Sequence, residues 1–156
     1  MATEIERKFL VVSDSWRSHA TGRVYRQGYI RTQGLTTVRV RIAGDQGFLT
    51  IKGATQGISR LEFEYSIPRQ DAEEMLNTLC DRPLIEKTRY VLEDNGMRWE
   101  IDEFQGDNQG LILAEIELTD AAQTIHLPDW LGQEVSHDSR YFNSNLAKHP
   151  FTQWSR

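Results

Sequence analysis

Glu4-Ile5-Glu6-Arg7-Lys8, near the start of the chain, decides how the rest is read. As a strand it places Glu4, Glu6 and Lys8 on one face, and Ile5, Arg7 and Phe9 on the other. Two carboxylates two residues apart can share a hard cation, and an ammonium one step further can hold an anionic ligand of that cation. A solvated surface strand would carry the same letters. Repetition separates the two readings, because charged residues return at every second position in strand after strand.

Working outward, Thr3 to Val12 reads as the first strand and Val24 to Arg31 as the second, with Gln27, Tyr29 and Arg31 sharing a face. Thr37 to Ile42 puts Val38, Val40 and Ile42 opposite Arg39 and Arg41. A turn signal at Gly44-Asp45-Gln46-Gly47 leads into a strand ending at Lys52. Ser59 to Ile67 sets Glu62 and Glu64 against Leu61, Phe63 and Tyr65, and Pro68 stops it. Arg69 to Cys80 is the clearest helix, with Ala72, Met75, Leu76 and Leu79 at helical spacing. Leu84 to Leu92 carries Lys87 and Arg89 on one side. After a turn at Glu93-Asp94-Asn95-Gly96, Arg98 to Phe104 returns with Glu100 and Asp102. Leu111 to Leu118, with Glu115 and Glu117, reads as the eighth and last strand. Short helices are expected over Asp120 to Gln123 and Ser139 to Lys148, and a loose end from Pro150 apart from Trp154.

A half-buried antiparallel sheet explains alternation, but its wet face would ordinarily mix Thr, Ser, Gln and Lys. In this chain almost every such slot is charged, and most strands carry one sign. Like charges side by side repel unless a ligand relieves them. A divalent metal relieves the acids, a polyanion relieves the cations, and a metal-bound polyphosphate relieves both. Eight strands can also close on themselves. With charged faces inward they would form a polar tunnel, their apolar outer faces covered by the helices. The fold expected is α+β, a closed eight-stranded antiparallel barrel with flanking helices.

Composition narrows the function classes. The 156 residues suit one domain over positions 1–156. The net charge of −5 advertises neither a nucleic-acid nor a membrane partner. A single cysteine, Cys80, excludes an intrachain disulfide and a cysteine-rich zinc site, which fits a cytoplasmic location. The N-terminal residues do not read as a signal peptide, and no apolar run approaches the ~20 residues of a membrane helix. The four histidines are scattered without metal-ligand spacing.

Glu4-Ile5-Glu6-Arg7-Lys8 resembles the ExExK signature of the triphosphate tunnel metalloenzymes, the CYTH superfamily. The segments Arg26-Gln27-Gly28-Tyr29, Val38-Arg39-Val40-Arg41, Thr50-Ile51-Lys52 and Arg60-Leu61-Glu62-Phe63-Glu64 look like further motifs of that family, in order. So do Glu86-Lys87-Thr88-Arg89-Tyr90, Glu100-Ile101-Asp102, Glu115-Ile116-Glu117 and Asp138-Ser139-Arg140-Tyr141-Phe142-Asn143. The resemblance implies an eight-stranded tunnel that binds triphosphate with Mg²⁺ or Mn²⁺, and is strongest toward the small inorganic triphosphatases. Lys8, Arg39, Arg41, Lys52, Lys87, Arg89 and Arg140 are then expected to bind substrate. Glu4, Glu6 and Glu115 are expected to hold a metal, while Glu62, Glu64, Asp102 and Glu117 either hold a second or fix the cations. Lys52, Lys87 and Tyr29 are the expected catalytic groups. The expected partner is inorganic triphosphate or another small triphosphate, and the expected state is a monomer or homodimer. The alternatives are a class IV adenylyl cyclase and a nucleoside or thiamine triphosphatase.

Overall fold

Alternation of charged and apolar residues builds a sheet that wraps around its charged face. The computed structural model describes residues 3–155. In chain order come β1 (Thr3–Val11), β2 (Thr21–Ile30), β3 (Thr37–Ala43), β4 (Gln46–Lys52), β5 (Ser59–Ile67) and α1 (Arg69–Thr78). They are followed by β6 (Ile85–Asp94), β7 (Met97–Phe104), β8 (Ile112–Glu117), β9 (Leu131–Glu134) and α2 (Asn143–Lys148). The sheet runs β5-β4-β3-β2-β6-β7-β8-β1, and β1 meets β5 again through Thr3↔Leu61, Glu4↔Arg60 and Ile5↔Ser59. Those pairs close an antiparallel barrel of eight strands. The β6–β7 hairpin turns on Asn95 and Gly96, whose φ angles of 53° and 77° need residues that tolerate the left-handed region. Among the described residues, no helix is long and apolar enough to cross a membrane.

The outward faces form two of the cores. One gathers Phe9, Trp16, Trp99, Ile101, Ile116 and Trp130 outside the β1–β8–β7–β6 wall. Trp99 meets Trp130 edge-on at 5.4 Å and Phe9 at 5.8 Å. The other seats Ala72 and Leu76 of α1 on Val40 and Ile42 of β3. Gly28 lies beside it, and a Cβ there would fall 2.7 Å from Leu84 and 2.8 Å from Cys80, so the chain packs at this point only without a side chain. A third core fills one end of the barrel interior, where Ile85, Phe104 and Leu113 meet Tyr141, Leu146 and Ala147 of the C-terminal segment.

Five expectations are corrected. A ninth strand, β9, lies along β1 through Phe9↔Glu134 and Val11↔Leu131; at four residues it is too short for alternation to reveal. Asp120 to Gln123 is a turn rather than a helix, because the Asp120 carboxylate accepts from Ala122 N at 2.8 Å and Gln123 folds its own amide oxygen back onto Thr119. Ser139 to Lys148 is not one helix: a single turn at Ser139–Tyr141 is cut from α2 by an extended Phe142. The C-terminal end is ordered by Trp154, which packs on Tyr141 and Phe151, each at 5.1 Å. The helices do not cover the whole outer surface, since Leu61, Phe63 and Tyr65 of β5 stay exposed.

Candidate functional site

Closure turns every second residue of each barrel strand inward, and the inward charges face one another across a space of about 170 Å³. The basic side comes from β3 (Arg39, Arg41), β6 (Lys87, Arg89), β4 (Lys52) and the end of the β1 motif (Lys8), all buried. Buried cations need counter-charges. Arg39 and Arg41 share Glu64 at 3.3 and 3.5 Å. Lys52 lies between Glu4 at 3.2 Å and Glu62 at 3.0 Å. Lys8 stands 4.0 Å from Glu115 and donates to the Tyr141 carbonyl at 3.2 Å. Burial, with Arg39 and Arg89 close by, brings the Arg41 guanidinium down to about 10. The Nε–H groups of Arg39 and Arg41 are buried without a hydrogen-bond partner among the described residues. Buried donors call for acceptors, and an anion in the tunnel would supply them.

Asp102 belongs to this basic side. It is 1% exposed and accepts from Lys87 Nζ at 2.7 Å, Arg89 Nε at 2.7 Å and Arg89 Nη2 at 2.8 Å. It does not line the open space. Its geometry is that of a residue that fixes two cations. Burial would raise its carboxyl, but Arg89 and Lys87 hold it below the usual range. Burial, opposed by Asp102 and aided by Arg89, pushes the Lys87 ammonium down to about 7.

The acidic side spans three neighbouring strands, and its register is the unusual feature. Glu6 lies directly opposite Glu117, and Glu100 directly opposite Glu115. Like charges in such pairs destabilise a sheet. Burial, then Glu115 and Glu4, raise the Glu6 carboxyl well above the usual range. Burial, then Glu4 and Glu100, raise Glu117. Burial would raise Glu115 as well, but Lys8, Arg89 and Lys87 hold it well below. Among the described residues, no three His, Cys, Asp or Glu side chains converge on one ligand position. The acids instead face cations and one another. The donors are all carboxylate oxygens crowded against their own charge, and that chemistry fits a hard divalent cation.

Most residues singled out from sequence line this tunnel together: Glu4, Glu6, Lys8, Arg39, Arg41 and Lys52 from the first half, and Glu62, Glu64, Lys87, Arg89, Glu115 and Glu117 from the second. Tyr29 lines it too, its hydroxyl accepting from Gln27 Nε2 at 3.0 Å. Arg140 does not. It points away, bonded to Asp138 at 2.7 Å and stacked 5.0 Å from the Trp154 ring. Arg31, expected to share the Tyr29 face, lies past the end of β2 and pairs with Asp81 at 3.4 Å. Sequence reasoning missed Arg60, whose alternation with Glu62 would have revealed it, and which stands 3.6 Å from Glu4. It also missed Tyr25, which has Arg41 and Arg89 over its ring at 4.8 and 5.1 Å. Phe142, Asn143 and Ser144 line the tunnel from the C-terminal segment, where helical spacing does not show which side chains turn inward. Asn143 accepts from Lys87 Nζ at 3.0 Å.

Comparison with known proteins agrees with this architecture. Residues 2–150 match the CYTH domain. The chain is 52% identical over 151 residues to an inorganic triphosphatase of Acetivibrio thermocellus, covering 97% of each chain. It is 40% identical over 150 residues to an inorganic triphosphatase of Nitrosomonas europaea, covering 93% of this chain and 97% of that one. A crystal structure of an inorganic triphosphatase superimposes with a TM-score of 0.67 at 37% identity, covering 94% of this chain and 95% of the other. An N-terminal ExExK strand, a closed eight-stranded tunnel with facing walls of opposite charge, and a match across nearly the whole length place this chain in the CYTH domain family.

Proposed function

We propose that this protein hydrolyses inorganic triphosphate to pyrophosphate and phosphate inside the tunnel, with Mg²⁺ or Mn²⁺. The observation that carries the reading is the pair of buried arginines with unused donors facing a crowded carboxylate wall across a narrow space. The two relatives named inorganic triphosphatase, matched over nearly their full lengths, support the substrate.

Carboxylates drawn from Glu4, Glu6, Glu115 and Glu117, with Glu62 at their edge, would hold the divalent cation one or two at a time, with water completing its shell. A bound cation supplies charge neutralisation to the phosphates and makes a coordinated water more acidic. Arg39, Arg41 and Arg89 offer forked donors to phosphate oxygens, while Lys8 and Lys87 act as point charges. Lys87, held by Asp102 and Asn143 on the basic side, is placed to hold phosphate. Lys52, between Glu4 and Glu62, lies where the basic and acidic sides meet and is our candidate for handling the proton of the attacking water. Tyr29 is the candidate for orienting one end of the chain of phosphates. Burying these groups away from water strengthens each contact.

Arg39→Ala and Arg41→Ala are each expected to weaken triphosphate binding by roughly 10- to 100-fold, with Arg→Lys only partly restoring it because the fork is lost. Calorimetry with Ca²⁺ in place of the working metal reads this directly. Unchanged affinity in both alanine variants would put the ligand outside the tunnel.

Substrate preference follows from the lining. Adenine recognition ordinarily needs an apolar slot. Trp99, Ile101 and Ile116 are buried on the outside of the barrel and Trp130 is packed against Trp99, while the Phe142 ring in the tunnel lining is taken up by Lys8 and Arg60. Triphosphate is therefore expected to be hydrolysed with a higher specificity constant than ATP at matched metal. Steady-state phosphate release on both substrates, with product analysis for cAMP, is the check. An ATP specificity constant equal to that for triphosphate, or cAMP as main product, would favour the nucleotide reading.

A further inference from the structure

Phe142 is out of character with its surroundings. Among the described residues it is the one wholly apolar side chain that lines the tunnel. The backbone goes out of its way to place it there: an extended residue with φ −68° and ψ 134° interrupts what would otherwise be a continuous helix from Ser139 to Lys148. Its ring lies 5.5 Å from Lys8 Nζ and 5.8 Å from the Arg60 guanidinium, within cation–π range of both. Tyr141 beside it accepts from Lys8 Nζ, which fixes that lysine from the same segment.

Beyond the ring the interior does not end. A second space of about 970 Å³ continues outward, and Tyr29, Thr37, Arg60, Phe142 and Ser144 line both spaces. This outer space lies between the segment that follows β2, the segment that follows β4 (Gly53 to Thr55) and α2. Arg31, Arg82 and Lys148 line it with one acid, Asp81. A polyanion emerging on this side would meet net positive charge. A phosphate chain too long for the tunnel would meet these basic side chains on this side, and Phe142 lines the junction between the two spaces.

We propose that Phe142 is a specificity-determining residue that sets the length of linear polyphosphate accepted, by closing the tunnel against the basic outer space. The inference rests on the hydrolase reading above. Lys8 and Arg60 define the last phosphate position, and the ring ends the row. Removing the ring joins the two spaces, so that a fourth phosphate can pass toward Arg82 and Lys148.

The test is the ratio of kcat/KM for linear tetraphosphate to kcat/KM for triphosphate, measured with Mg²⁺ on the full chain. Phe142→Ala is expected to raise this ratio about tenfold, in line with the discrimination one apolar contact provides. Phe142→Leu should raise it less, and adding Arg82→Ala to Phe142→Ala should lower it again. Melting curves establish that each variant is folded, and if the alanine variant is not, the leucine variant decides. An unchanged ratio in a folded variant, with wild-type protein active on triphosphate, overturns the role of Phe142 alone. A wild-type protein inactive on both chains overturns the hydrolase reading and this inference with it.

Discussion

Glu6→Gln is expected to abolish turnover and to make the metal-free protein more stable. The loss of activity is expected to exceed about 100-fold, the cost of removing even an outer partner of a metal site. The gain in stability comes from the register. Glu6 faces Glu117 across the strand pair and has Glu115 and Glu4 close by, so its charge is opposed in the absence of a cation. The sign with pH follows from its raised carboxyl. In the unfolded chain Glu6 ionises near the ordinary value of 4.5, while in the folded chain it holds its proton to higher pH. Folding is therefore unpenalised below the ordinary value and loses stability as pH rises from there through the raised folded value. Melting temperatures across that window, without metal, should fall for the wild type and stay flatter for Glu6→Gln. Glu4→Gln should lose activity equally without the gain, because Glu4 is the partner of Lys52 and Arg60. Near-normal turnover in either variant places the metal elsewhere.

Asp102→Ala is expected to have the opposite effect on stability. It leaves Lys87, 1% exposed, and Arg89, 9% exposed, without their shared carboxylate. Breaking a buried ion pair from one side costs about 3–5 kcal/mol. For a chain of this size that lowers the melting temperature by roughly 6–20 °C. Asp102 has a lowered carboxyl, so its contribution is present in full above the ordinary value of 3.8 and is lost as pH falls through the lowered folded value. Activity should fall too, since the two cations lose their positions. A variant that melts like the wild type would show that Lys87 and Arg89 find other partners or reach water. Glu6 and Asp102 are thus both inward carboxylates of one tunnel, yet replacing them is expected to move stability in opposite directions.

Alternation alone was sufficient to find the wall of the tunnel. A period of two assigns each side chain of a strand to a face, and the charged set on one face with Val, Ile, Phe and Trp on the other leaves a single sensible way for the sheet to curl. That is why Glu4, Lys8, Arg39, Lys87 and Glu115 could be named as neighbours although they are far apart in the chain. Alternation carries Arg60 and Tyr25 as well, since Arg60 shares the face of Glu62 and Glu64, and Tyr25 that of Gln27 and Tyr29.

The tertiary structure decided how the charges are distributed within that wall. Periodicity gives the face of a residue but not which residue stands opposite it. Cross-strand register is what turned Asp102 into the holder of two cations and Glu6 into a carboxylate facing carboxylates. The end of the tunnel was equally invisible. β9 is too short to show a period, Arg140 is drawn away by Asp138 and Trp154, and the helical spacing of Ser139 to Lys148 gives no hint of the break at Phe142. These features depend on contacts between segments far apart in the chain, such as Lys8 with Tyr141 and Lys87 with Asn143. A local pattern carries no term for such contacts, so closure and the chemistry at the closed end appear only once the chain has folded.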